Sequence, residues 1–115
     1  MSREISRVLE TLPREIWQNL QNVEFIIEEL PSWDMAREVG SRHLLGAYHG
    51  VPLSKRGRGY SFVMPDRIIL YRKNIERLVN NQDEWKEKIR EVVLHEIGHY
   101  MGMNEEEVRR MMEEE

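Results

Sequence analysis

The stretch "NQDEWKEKIREVVLHEIGHYMG", residues 81–102, constrains this chain more than any other. It contains no proline, and Trp85, Ile89, Val92, Val93, Leu94, Ile97, Tyr100 and Met101 recur at the spacing that fills one broad sector of a helix. Asn81 or Asp83 can cap its start and Gly102 can close its end. A helix with so wide an apolar sector is unstable alone, so the rest of the chain must fold into a layer that covers it. His95 and His99 fall at the border of that sector beside Lys88 and Glu91, and so face a groove or solvent rather than the centre of a core.

With 115 residues, the chain suffices for one domain around one core, spanning 1–115. Ile5, Val8, Leu9, Leu12, Ile16 and Leu20 make residues 3–21 helical, with Pro13 a point at which that helix can divide. "VEFIIEEL", residues 23–30, is rich in β-branched and aromatic residues and stops at Pro31, as a strand does. Residues 31–65 hold Gly40, Gly46, Gly50, Gly57, Gly59 and Pro52 and read mainly as loops. Two short strands are expected, "GYSFVM" at 59–64 and "RIILYR" at 67–72, joined at Pro65 and Asp66 by a tight turn. "NIERLVNN", residues 74–81, reads as a short helix.

Composition narrows the chemistry. There is no cysteine, which excludes disulfides, thiolate-bound zinc and thiol nucleophiles, so any metal must be held by His, Asp or Glu. The net charge of −4 is small, and the basic run "KRGRG" at 55–59 reads as a solvated turn, so no nucleic-acid partner is expected. No window is long and apolar enough for a membrane, and "MSREISRVLETLPREI" lacks the apolar centre of a secretory leader. A reducing, cytoplasmic location is the expectation.

Two imidazoles one helical turn apart can bind a single ion at about 2.0–2.1 Å, as a zinc site requires. Glu96 between them is placed to take a proton from an attacking water and deliver it to a leaving amine. The plain alternative is two surface histidines on a glutamate-rich helix, and context weighs against it: the helix, its buried opposite face and a helix-ending glycine are all present. Beyond Gly102, Asn104 is a natural cap for a second helix, with Glu107 three residues later completing a capping box and Glu105 at the first helical position. Acids at a helix start are favoured by the macrodipole with no metal at all, so Glu105 and Glu106 both remain open on this ground.

The blocks "LLGAYHGVPLSKRGRGYSFVMPDRIILYR" at 44–72 and "VVLHEIGHYMGMNEEEV" at 92–108 resemble the small bacterial zincin-like metallopeptidases, through "GVPL", "YS" and "PDRI" as well as the histidine motif. The resemblance implies an α+β, two-layer sandwich with a small sheet packed on the HExxH helix, zinc as cofactor and peptidase activity. It assigns His95 and His99 as zinc ligands, Glu96 as general base and Glu105, six positions after His99, as the third ligand. The pattern HExxHxxGxxE resembles the long metzincin motif with a carboxylate in the last place. Beyond Glu105 it departs from that motif, because Met111 and Met112 sit in a helical pattern and read as packing residues rather than a methionine turn.

The expected substrate is a peptide or protein held extended, added as a strand beside the edge around residues 60–64. His43 and His49 can each line the site or bind an oxyanion, against a loop-stabilising role; Tyr60 and Tyr71 can position substrate, against a place in the core. The rival reading is a zincin-derived protein that holds zinc or peptide without turnover. A structural zinc would be closed by a fourth protein ligand, whereas three can be named here, which favours catalysis.

Overall fold

The computed structural model describes residues 1–50 and 66–114. Helices α1 (Ser2–Glu10) and α2 (Arg14–Asn19) lead into strand β1 (Val23–Glu28), helix α3 (Trp33–Val39) and strand β2 (Gly46–His49). Strand β3 (Asp66–Tyr71) passes directly into α4 (Arg72–Arg77), followed by α5 (Gln82–Tyr100) and α6 (Glu105–Glu114). The fold is α+β, with a three-stranded sheet in the order β1-β3-β2 laid against α5.

The central place of β3 explains its sequence. It pairs parallel with β1, Val23 opposite Asp66 through Glu28 opposite Tyr71, and antiparallel with β2, Gly46 opposite Leu70 through His49 opposite Arg67. A strand flanked on both edges and covered on both faces reads as a continuous apolar run, as Ile68, Ile69, Leu70 and Tyr71 do. Ile68 and Leu70, fully buried, pack with Ile89, Val92, Val93, Leu94 and Ile97 of α5. Each such side chain contributes about 1.5–3 kcal/mol on leaving water. Ile5 and Val8 of α1, with Leu12 and Leu20, extend the same core. Tyr100 ties the end of α5 to the end of α2 by donating to the Asn19 carbonyl at 2.7 Å.

Pro13 divides the first helical segment and stands as the N-cap of α2. Two elements lie where loops are expected. Helix α3 is seven residues, started by Ser32, whose hydroxyl accepts from the Met35 amide at 3.1 Å, and stopped by Gly40 at φ 80°. Strand β2 is four residues and begins with a glycine that weakens any strand signal. That glycine has a packing reason: a Cβ on Gly46 would stand 2.7 Å from Val92 Cγ1 and 3.0 Å from the Ile69 carbonyl. Helix α4 also starts earlier than its apolar pattern suggests, at Arg72 rather than Asn74, because it follows β3 without a loop. The expected strand at 59–64, its turn at Pro65, Tyr60 and the "KRGRG" run lie outside the described residues.

Asn74, buried within α4, fastens the approach to β2. Its Nδ2 donates to the carbonyls of Arg42 and Leu44 at 2.7 and 2.8 Å. This places Leu44, Leu45 and Gly46 over the histidine-bearing face of α5. No described helix is long and apolar enough to cross a membrane.

Candidate metal centre

Local signals set both walls of the site. Asn81, rather than Asp83, caps α5, its Oδ1 accepting from the Glu84 amide at 2.9 Å. At the other end the Met103 amide bonds back to the Gly98 carbonyl at 2.9 Å and the Gly102 amide to that of His99 at 3.0 Å, with Gly102 at φ 79°. This is the closure that a glycine in the left-handed region permits. Asn104 then starts α6: its Oδ1 accepts from the Glu107 amide at 2.8 Å while the Glu107 carboxylate accepts from the Asn104 amide at 3.1 Å. The expected capping box is therefore formed, and it sets Glu105 at the first helical position, facing back towards α5.

The donor atoms of His95, Glu96 and His99 lie within 4.8 Å of one another. Glu105 reaches the same rings from α6: its Oε2 is 3.1 Å from Nε2 of His95, and its Oε1 is 3.5 Å from Nε2 of His99. In a tetrahedral zinc site with bonds of about 2.0–2.1 Å, neighbouring donors stand about 3.3–3.4 Å apart. The two Glu105 separations lie on either side of that value, so its carboxylate stands about as far from each imidazole as such donors stand from one another. Glu106 instead points along α6 to Arg110, 3.5 Å away. Both imidazoles are about two-fifths exposed, whereas Glu96 is buried, with its oxygens 3.4 Å from Nδ1 of each histidine.

The charges respond to this geometry. Partial burial lowers the pKa of His95, but hydrogen bonding to Glu105 and Glu96, with their charges, outweighs burial and holds it above the ordinary value. The hydrogen bond from His95, its charge and the approach of His99 hold the Glu105 carboxyl below its ordinary value.

A cleft of about 290 Å³ between α5 and α6 touches His95 and Glu105, and two more share the β2 approach at Leu44 and Gly46. One, of about 420 Å³, runs between α3, β2 and α5 and touches His95, Glu96 and His99. The other, of about 350 Å³, lies between Leu44, Leu45 and α5 and touches His95 and Glu96. His49 lines the larger of these two; since Gly46 and Tyr48 face α5, strand alternation directs the His49 Cβ to the opposite face of the sheet. His43 is exposed and paired with Arg77 at 3.4 Å, away from the group. Tyr71 is a core residue, its hydroxyl pKa raised by burial and then by Glu28 and Glu96. Met111 and Met112 are half-buried packing residues on α6.

Gly98 is a contributor that motif reading passes over. A Cβ there would stand 2.4 Å from Val108 Cγ2, so the bare backbone is what lets α6 approach closely enough for Glu105 to reach the histidines. A glycine inside an otherwise strong helix was the available signal.

The sequence profile of the zincin-like metallopeptidases matches residues 20–114. The chain belongs to that family. A search of curated proteins finds no match. For a zincin-like protein, zinc binding follows from the family, and the His95, Glu96 and His99 group is a donor set of the right chemistry for it. The match begins after α1 and α2, of which α1 packs into the core through Ile5 and Val8.

Proposed function

We propose that this protein is a zinc-dependent peptidase in which His95, His99 and Glu105 hold the ion and Glu96 is the general base. The observation that carries this reading is the Glu105 carboxylate spanning both imidazole Nε2 atoms, at 3.1 and 3.5 Å, while the buried Glu96 carboxylate borders two open clefts. Zinc, when bound, would supply Lewis acidity to the scissile carbonyl and acidify an attacking water. Glu96 accepts the proton of that water and returns it to the departing amine, which requires a carboxylate within reach of both atoms. Its burial beside Gly46 limits its rotamers, so the base is oriented before substrate arrives.

Strand β2, an edge of the described sheet, lies directly above the histidines and lines the larger cleft. An extended peptide laid along it would cross His95 and Glu96 with its backbone, which supports a peptide rather than a compact small-molecule substrate.

Metal analysis and peptide turnover test the proposal together. The expected result is one zinc per chain, with hydrolysis of unstructured peptides by wild type and none by zinc-loaded Glu96→Gln. Equal fragment release by the two proteins would place the activity elsewhere. Peptide binding without cleavage by either would leave the zinc- and peptide-binding alternative standing.

A further inference from the structure

The larger cleft runs along an edge strand of the described sheet and so has two faces. On one stand the side chains of α5. On the other stand Met35, Glu38 and Val39 of α3, with Ala47 and His49 on the face of β2 turned away from α5. This wall is tied at both ends of α3: the Arg42 guanidinium lies 4.0 Å from the centre of the Trp33 ring and donates to the Pro31 carbonyl at 3.4 Å, while Asn74 holds the Arg42 carbonyl.

The charge along the cleft is one-sided. Glu38 and Glu96 line it, and among the described residues no lysine or arginine does. Arg37, beside Glu38 in the chain, is taken by Asp34. Glu38 itself is exposed on α3 and has no ion-pair partner among the described residues. Nε2 of His49 is buried and likewise has no hydrogen-bond partner among them.

We infer that the α3 side of this cleft binds a positively charged nitrogen of the substrate, either a lysine or arginine side chain or the ammonium of a peptide N-terminus. The inference rests on the peptidase reading above. Neighbouring side chains of an extended peptide point to opposite faces, so a peptide laid along β2 sends alternate residues towards α5 and towards α3. Met35 and Val39 can cover the hydrocarbon stem of a basic side chain while its charged end meets Glu38. The unpartnered His49 nitrogen, in the tautomer that leaves it an acceptor, adds a second contact for such a donor. An acidic side chain would meet Glu38 with no cation among the described lining residues to offset it.

Glu38 offers the test because it is exposed and its replacement leaves the core untouched. Cleavage sites in a peptide library would be mapped by mass spectrometry, and one peptide then varied to Lys, Arg, Met or Glu at each residue near the cut, with free and with acetylated N-termini. For zinc-loaded wild type at low salt, kcat/KM with Lys or Arg at one position should exceed that with Met, an uncharged chain of similar reach, by about 2–5-fold, with Glu below Met. The positions on either side of it should show no such preference, because their side chains face α5. The preference should shrink as salt is raised and vanish in Glu38→Gln, and Glu38→Lys should favour Glu over Met. A folding defect would not reverse a charge preference. Where the cation is the N-terminus, the same preference and the same reversal separate free from acetylated peptides cut at a fixed distance from that end.

The peptides would also be titrated against zinc-loaded Glu96→Gln and Glu96→Gln/Glu38→Lys proteins by fluorescence anisotropy. Cleavage with no preference for positive charge in either series, or with a preference that persists in Glu38→Lys, overturns the cation site and leaves the peptidase. Tighter binding of Lys than of Met peptides, lost in the double variant, without cleavage by wild type removes the peptidase and keeps the cation site. Neither cleavage nor a charge preference in binding overturns both.

Discussion

At the scale of single residues, Glu105 and its neighbour Glu106 share a helix start and a chemistry, and differ in what they face. Glu105→Ala should weaken zinc binding by far more than the roughly 10–100-fold typical of an outer-shell change, while Glu106→Ala, which breaks only an exposed pair with Arg110, should be near neutral. Glu105→Asp and Glu105→His should keep a measurable part of the affinity in competition titrations with a chelating dye, since both coordinate zinc. The pH dependence has a definite sign. A ligand histidine must be neutral, and the pKa of His95 is raised above its ordinary value, so zinc affinity should climb with pH and level off only above about 6.5. In zinc-free protein the same shift acts in reverse: the stability from His95 facing Glu105 is fully present below the unfolded pKa near 6.5 and is lost as pH rises through the folded pKa. The gap in Tm between zinc-saturated and chelated protein should therefore widen from about pH 6 to about pH 8 in calorimetry, and a constant gap would remove His95 as a ligand.

At the scale of elements, the unit that matters is α5, its glycine turn and α6. Gly98→Ala gains up to about 1 kcal/mol of helix propensity but drives a methyl against Val108, an overpacking cost of about 1–3 kcal/mol. The expected outcome is a small change in zinc-free stability with a clear drop in zinc affinity, and recovery of affinity in Gly98→Ala/Val108→Ala. Asn104→Ala should cost about 1 kcal/mol by removing the cap that holds Glu105 in place, measurable by urea unfolding of the chelated protein. Both helices were legible in the chain because their signals are local: period, cap, glycine stop. Helix α3 and strand β2 were not, because seven and four residues carry too little pattern and the glycine in β2 answers to Val92 and Ile69, distant in sequence.

At the scale of the whole molecule, an ion held by His95, His99 and Glu105 would join α5 to α6 beside the contacts that Val108, Met111 and Met112 already make, so zinc should stabilise the fold as well as the chemistry. At free zinc of about 100 times Kd the gain is about 2.7 kcal/mol, a rise of about 10 °C in Tm for a chain of this size, abolished by chelation. Much of the candidate site was readable before any fold was known. The four-residue spacing of His95 and His99, the position of Glu96 and the capping box that orients Glu105 are properties of consecutive residues, and local geometry is set by local sequence. The α+β class was readable for the same reason, from the periods of α5 and β3. What tertiary structure alone decided was the surroundings: β2 crossing α5 at Gly46, Asn74 of α4 pinning the Arg42–Leu44 approach, Met112 of α6 closing the cleft beside Leu44 and Leu45, and His49, not His43, lining the larger one. Those contacts join residues far apart in the chain, and no local pattern records them because packing selects only for size and shape at the place where two elements meet.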